Sequence, residues 1–170
     1  MIQYMADTLV LGHGRYYTDD CRCSPMDINE WIHDPYVCVD NMRYVNPDIV
    51  YDLIHGIDYG TKYSWGDEKR MNVPKTYNCR WTFAKDESYR RVIDCAGGIL
   101  QMDSSLTESK WYPDPDPGKY SQKMLKEICR VLQPNGLFYG NFRHKLVYQK
   151  QNGHMVNISN QPSCYKHPIS

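Results

Sequence analysis

Five short apolar runs, separated by longer segments, most constrain how this 170-residue chain can fold. The runs are continuous rather than alternating, which is typical of strands that are buried on both faces of a parallel sheet. The segments between them can hold the crossover connections that parallel strands require. The runs cover residues 8–11, 36–39, 49–51, 91–95 and 137–142. They predict an α/β fold in which these five strands lie parallel in one sheet, with helices on its faces.

The clearest helical pattern covers residues 121–132, where apolar side chains recur at helical spacing and charged side chains face outward. Pro134, which has no backbone N–H, and Gly136, which suits a tight turn, follow this segment. The pattern therefore predicts a helix, a turn and then the last parallel strand. Residues 27–33 predict a further, short helix between the first two strands.

Three other segments surround the predicted sheet. Residues 144–159 predict a hairpin around Gln151, Asn152 and Gly153, because asparagine and glycine favour the conformations of tight hairpin turns. Residues 54–88 form a long segment that holds Trp65, Trp81 and many charges, and residues 104–119 are rich in proline and aspartate. Both predict insertions or lids at the end of the sheet where α/β proteins bind ligands.

The composition favours one soluble, cytoplasmic domain. Basic and acidic residues both number 20, so there is no basic patch that would indicate nucleic-acid binding. No apolar run approaches the roughly 20 residues that a membrane crossing needs, and no leader sequence is apparent. The seven cysteines suit reduced thiols. Cys21, Cys23 and His33 have no second ligand pair at zinc-site spacing, so we expect no metal.

A glycine turn and an aspartate follow the first two predicted strands. Gly12, His13 and Gly14 come directly after the first strand, where a glycine lets the backbone approach a ligand closely. Asp40 ends the second strand, 26 residues after Gly14, where a carboxylate can accept hydrogen bonds from both hydroxyls of a ribose. Strand, glycine turn, helix and acid-terminated strand together indicate a nucleoside cofactor.

Residues 125–136 have the sequence Leu-Lys-Glu-Ile-Cys-Arg-Val-Leu-Gln-Pro-Asn-Gly. This sequence resembles the helix and turn that precede the fifth strand of class I S-adenosylmethionine-dependent methyltransferases. The family's pattern there is usually written L-x-E-x-x-R-V-L-x-P-G-G. The glycine turn and the strands fall on the family's other motifs in the same order, over residues 8–143. The resemblance implies a Rossmann-like methyltransferase domain over residues 1–143. Residues 144–170 would then be a reduced C-terminal hairpin and an irregular tail of the same domain.

The same resemblance implies a set of cofactor-binding residues. The backbone of Gly12, His13 and Gly14 would pass the methionine part of S-adenosylmethionine, and Asp40 would hold the ribose. Asn41 and Met42 would flank the adenine, while Asp52 would face its amino group with Leu53 alongside. Asp94 or Cys95 would lie near the methionine ammonium or the methyl acceptor. Asp52 and Asp94 also suit purely structural roles, such as an acid that caps the turn after a strand.

The first motif also departs from the family. Val10 and Tyr16 stand where the family usually has an acid and a third glycine, and His13 and Arg15 either compensate or fill the cofactor's space. The implied function is a methyltransferase whose catalytic residues are unknown and whose acceptor is a small molecule, a protein or a nucleic acid. The alternative is an inactive methyltransferase-like subunit that binds a protein partner. A third reading, an NAD-dependent enzyme, is a poor match to the longer glycine fingerprint of such enzymes.

Overall fold

The computed structural model describes residues 6–15, 35–94, 119–141 and 146–160, which form a mixed α/β structure with one eight-stranded sheet. The order across the sheet is β4-β3-β2-β1-β5-β6-β7-β8. The strands are β1 (Thr8–Leu11), β2 (Tyr36–Asp40), β3 (Ile49–Asp52), β4 (Ile57–Asp58), β5 (Tyr89–Asp94), β6 (Leu132–Asn141), β7 (Leu146–Gln151) and β8 (His154–Asn157).

The centre of the sheet is parallel. Each of the pairs β3–β2, β2–β1, β1–β5 and β5–β6 runs parallel. Leu9 in β1 lies level with Val37 on one side and with Val92 on the other, and all three side chains are fully buried. This burial on both faces explains the continuous apolar runs. The prediction of five parallel strands in one sheet is confirmed, while Cys95 and Phe142 at two predicted strand ends lie outside the described residues.

Antiparallel strands complete both edges of the sheet. β4 pairs with β3 at one edge, and β7 and β8 follow β6 as a meander at the other. The turn between β7 and β8 holds Asn152 at φ 52° and Gly153 at φ 78°. Two left-handed residues in succession match the twist of a hairpin. The hairpin predicted for residues 144–159 is therefore confirmed over the described residues, and it extends the main sheet.

Two helices accompany the sheet in the described part of the chain, α1 (Glu68–Met71) and α2 (Lys119–Val131), and neither is long and apolar enough to cross a membrane. A 3₁₀ turn covers Arg43–Val45. The long helix, α2, begins two residues before and ends one residue before its predicted bounds. Its apolar stripe, which includes Leu125 and Ile128, packs into the core of the sheet. The helix predicted for residues 27–33 lies outside the described residues.

The connection from α2 to β6 differs from the prediction. β6 starts at Leu132, five residues before the predicted strand, because Leu132 already pairs with Tyr89. Pairing then resumes at Leu137 with Arg91, so the residues between Leu132 and Leu137 bulge out of the ladder. Asn135 lies in this bulge at φ 65°. The turn expected around Pro134 and Gly136 is thus a bulge within a strand.

The crossover between β3 and β5 packs against one face of the sheet. The hydroxyl of Tyr51 in β3 donates to the carbonyl of Arg80 at 2.5 Å, and the indole N–H of Trp81 donates to the carbonyl of Leu53 at 3.0 Å. Trp81 and Cys79 are fully buried within the main core. The second half of the predicted insertion at residues 54–88 therefore belongs to the core. Residues 104–118 of the other predicted insertion lie outside the described residues.

A salt-bridge cluster holds this crossover against α2. The guanidinium of Arg130 donates to both carboxylate oxygens of Glu127 at 2.9 and 2.7 Å, and to Asp86 at 2.8 Å. It also donates to the carbonyl oxygens of Ala84 and Trp81 at 3.0 and 2.9 Å. In return, Glu127 accepts the backbone N–H of Trp81 at 2.9 Å. We call Glu127 and Arg130 the α2 clamp.

We expect Arg130→Met to lower the free energy of unfolding by about 2–4 kcal/mol, because it leaves a largely buried carboxylate and two carbonyl groups without their donor. Arg70→Met is the matched control, since Arg70 is 70% exposed and lies 3.5 Å from Asp67. Exposed pairs of this kind contribute only about 0–1 kcal/mol. Urea unfolding followed by circular dichroism measures both variants. Equal stability losses in the two variants would contradict the importance of the clamp.

Candidate functional site

The carboxyl ends of β1, β2 and β5 meet at one edge of the sheet. Leu11, the last residue of β1, lies level with Val39 on one side and with Asp94 on the other. Gly12 therefore leaves the sheet between the ends of β2 and β5, close to Asp40. The direction in which strands are added to the sheet also reverses at β1. β2 and β3 lie on one side of β1, whereas β5 and β6 lie on the other. Such reversal points are where open α/β sheets bind ligands.

The two glycines of the first turn have different tasks. Gly12 is left-handed, at φ 68°, and its N–H donates to the carbonyl of Val39 at 2.9 Å. A Cβ placed on Gly12 would meet no atom of the described residues within 4 Å. A Cβ on Gly14 would overlap the carbonyl oxygen of Val45 and lie 2.7 Å from its Cβ. Gly14 is thus required by packing against the 3₁₀ turn, whereas Gly12 is not crowded by any of the described residues.

His13 is buried within the turn and is 8% exposed. Its backbone N–H donates to the carbonyl of Val39 at 3.2 Å. Burial, and to a lesser extent the positive charge of Arg15, lowers the pKa of His13 to about 4. The imidazole is therefore neutral at physiological pH and brings no charge to this edge of the sheet.

Arg15 is directed away from this edge. Its guanidinium donates to both carboxylate oxygens of Asp48 at 3.1 and 2.9 Å, and to the carbonyl of Tyr36 at 3.2 Å. It also lies 4.5 Å from the centre of the Tyr36 ring. Tyr36 is the first residue of β2, whereas Asp40 is the last. Arg15 therefore neither fills the space beside Gly12 nor offers its charge to a ligand there.

The predicted ribose acid, Asp40, is 7% exposed at the end of β2. Its Oδ1 accepts the backbone N–H of Met42 at 2.8 Å, so the carboxylate also shapes the turn that follows the strand. Asn41 and Met42 continue along this turn and are half-buried. These three residues lie together at the end of β2, beside the Gly12 turn.

The loop from Gly60 to Trp65 is fixed to this turn by contacts that the sequence pattern did not reveal. The guanidinium of Arg43 donates to the carbonyl oxygens of Gly60 at 2.8 Å and of Tyr63 at 2.6 Å. The carbonyl of Asn41 accepts the backbone N–H of Trp65 at 2.9 Å. No local pattern marks these partners, because about 20 residues separate them. The loop forms a wall next to the place predicted for the adenine.

Asp52 is bound at both carboxylate oxygens by the turn that follows β3. Its Oδ1 accepts the backbone N–H groups of Ile54 and His55 at 3.0 and 2.9 Å, and its Oδ2 lies 2.8 Å from Nδ1 of His55. Burial alone would raise the pKa of Asp52, but these hydrogen bonds outweigh it and hold the pKa below its usual range. The arrangement matches the structural alternative, an acid that caps the turn after its strand. The sequence pattern did not identify His55 as its partner.

The remaining predicted site residues are less closely grouped. Asp94 is 3% exposed and ends β5 level with Leu11, beside the Gly12 turn. Cys95 lies outside the described residues. Leu53 follows Asp52, packs against the main core and accepts the indole N–H of Trp81 through its carbonyl. The structure therefore brings Gly12, Asp40 and Asp94 together and gives Asp52 and Leu53 structural contacts.

Comparisons with known proteins returned no relative. No protein-family model matches the chain, no curated protein matches its sequence, and no solved structure matches its fold. The geometry of the chain itself therefore carries the functional argument.

We expect the stability of the protein to fall between pH 6.5 and 4 through the burial of His13. The unfolded chain binds a proton near the ordinary histidine pKa of about 6.5, whereas folded His13 remains neutral down to about pH 4. Acidification over this range therefore favours unfolding, by up to about 3 kcal/mol. Urea unfolding at a series of pH values should show a flatter dependence for His13→Gln. His154→Gln, at an exposed position, is the control and should keep the parent slope. If His13→Gln kept the pH dependence of the parent's stability, the assignment of that dependence to His13 would be wrong.

Proposed function

We propose that this chain is an S-adenosylmethionine-dependent methyltransferase-like protein that binds the cofactor at the carboxyl edge of β1, β2 and β5. The observation that carries the proposal is the position of Gly12 beside Asp40, at the reversal of the sheet order. The parallel order β3-β2-β1-β5-β6 follows the 3-2-1-4-5 order of doubly wound nucleotide-binding sheets. The proposal includes the Rossmann-like methyltransferase fold, of which the hairpin β7–β8 would be the reduced C-terminal part.

The residues at this edge fit a nucleoside cofactor. The space beside Gly12 would admit the methionine part, because a Cβ added at Gly12 would meet no described atom within 4 Å. Asp40 holds a carboxylate at the end of β2, and a carboxylate in this place can accept hydrogen bonds from ribose hydroxyls. Asn41 and Met42 would flank the adenine against the loop that Arg43 holds. Asp94 or Cys95 would lie near the methionine ammonium or the acceptor.

The chemistry asks little of the protein beyond alignment. S-adenosylmethionine supplies an electrophilic methyl group, and the protein's task is to hold an acceptor in line with it. The acceptor's identity does not enter the proposal, since no residue group of the described chain selects one class. His13 is neutral and Arg15 is bound to Asp48, so neither residue places a positive charge at this edge. The cofactor's positively charged sulfonium would therefore meet no repulsion from these two side chains.

A second candidate function is an inactive, methyltransferase-like subunit that binds a protein partner. Two of the implied cofactor residues favour it, because each has a structural task that requires no ligand. Gly14 is needed for packing against Val45, and both oxygens of Asp52 are engaged by the turn at Ile54 and His55. These contacts would persist in a protein that keeps the fold and binds no cofactor.

We expect Asp40→Asn to lower the affinity for S-adenosylhomocysteine at least tenfold, measured by isothermal titration calorimetry. The amide keeps an oxygen for the N–H of Met42 but loses the charge that strengthens hydrogen bonds from the ribose, worth about 1.5–3 kcal/mol each. Asp58→Asn is the matched control, because the exposed Asp58 accepts the N–H of Gly60 at 2.8 Å in the same local geometry. Equal affinity in parent and Asp40→Asn would refute the ribose assignment. If the parent itself does not bind at millimolar concentration, the second candidate becomes the better account.

A steric variant of the glycine turn tests the methionine end of the site. We expect Gly12→Asn to weaken S-adenosylhomocysteine binding at least tenfold with little change in melting temperature. Asparagine tolerates a left-handed backbone better than most residues, and its side chain would enter the space beside Gly12. Gly153→Asn is the control, since Gly153 is also left-handed and a Cβ added there would also meet no described atom within 4 Å. Gly14 is unsuitable for this test because any side chain there would overlap Val45.

A further inference from the structure

A groove of about 580 Å³ lies between the crossover and α2, away from the Gly12 turn. The segment from Asn78 to Asp86 forms one wall, and the helix positions Lys123, Lys126, Glu127 and Arg130 form the other. None of Gly12, Asp40 or Asp94 lines it. The groove is therefore a second concave surface, separate from the proposed cofactor edge.

The charges along the groove are unevenly paired. The carboxylates of Glu127 and Asp86 are both bound by the guanidinium of Arg130 at one end. Within the described part of the chain, neither Arg80 nor Lys126 pairs with a carboxylate. Lys123 donates to the carbonyl oxygen of Tyr77 at 2.9 Å, which leaves its charge unneutralised. The groove thus has a surplus of positive charge that does not come from the α2 clamp.

We propose that this groove binds an acidic segment of a partner protein in an extended conformation. Lys123 and Lys126 stand three positions apart on one helix face, which places their Cβ atoms about 5–6 Å apart, and Arg80 extends from the opposite wall. Carboxylates on alternate residues of an extended chain lie about 6.5–7 Å apart on one side. Such a segment matches separated cations better than one compact anion does. Within the groove, the guanidinium of Arg130 is bound by Glu127 and Asp86, so the cations left for a ligand are Arg80, Lys123 and Lys126.

The test uses the full chain and a fluorescein-labelled peptide, Glu-Ser-Glu-Ser-Glu, in fluorescence anisotropy at about 20 mM salt, where exposed charges are weakly screened. The peptide Gln-Ser-Gln-Ser-Gln serves as the neutral comparison. We expect saturable binding of the acidic peptide alone. The double variant Lys123→Gln/Lys126→Gln should bind it at least tenfold more weakly, and Arg80→Gln should bind it several-fold more weakly.

Lys62→Gln/Lys69→Gln removes the same charge at two exposed positions outside the groove and should keep the parent affinity. Absence of peptide binding by the parent at millimolar concentration would overturn the proposal, as would an equal loss in this control. Displacement of the peptide by an equal concentration of inorganic phosphate would also overturn it, in favour of a compact anion site. The groove variants should leave S-adenosylhomocysteine binding unchanged, so failure here is distinguishable from failure of the proposed cofactor site.

Discussion

The α2 clamp is the interaction on which the arrangement of this chain most depends. The chain must travel from β3, near one edge of the sheet, to β5 on the far side of β1, and most of the connecting segment is irregular. Irregular backbone packed on a sheet needs partners for its polar groups. Glu127 and Arg130 supply them for the stretch around Trp81, and Trp81 fills the core beneath. Without the clamp, the backbone N–H of Trp81 and the carbonyl groups of Trp81 and Ala84 would lose these partners.

The parts of the fold that the sequence predicted are those in which a local pattern has one physical meaning. Continuous apolar runs marked the five parallel strands, helical spacing marked α2, and the pair Asn152 and Gly153 marked the hairpin turn. The two-residue strand β4, the short helix α1 and the bulge before Leu137 carry no such pattern. β4 and α1, of two and four residues, are too short to show a period. The bulge forms because Leu132 already pairs with Tyr89, and a local pattern does not encode a partner more than 40 residues away.

The candidate site shows the same difference between features with a local sequence pattern and contacts between distant residues. The resemblance implied that Gly12, Asp40, Asp52 and Asp94 lie around one cofactor. Gly12, Asp40 and Asp94 do lie together, because the carboxyl ends of neighbouring parallel strands share one edge. The sequence pattern did not predict the hydrogen-bond partners of the side chains around the site. The pairing of Arg15 with Asp48 and the attachment of Arg43 to the loop at Gly60 and Tyr63 depend on residues that the sheet brings together from 17 to 33 positions apart. The contact between Asp52 and His55 is local, but its only signal was an acid three residues before a histidine.

The strand-end acids show why residue identity alone does not decide between a cofactor site and a structural edge. Asp40 and Asp52 both accept a backbone N–H two residues further on, so both would be useful to the fold without a ligand. They differ in their surroundings. The second oxygen of Asp52 is bound by a buried histidine, which lowers the pKa of the carboxyl and fixes its charge within the chain. Asp40 instead stands beside a left-handed glycine whose added Cβ would meet no described atom within 4 Å. A ligand at this edge would therefore be recognised between Gly12 and Asp40, and the pocket for its distal part would be set by the loop that Arg43 holds.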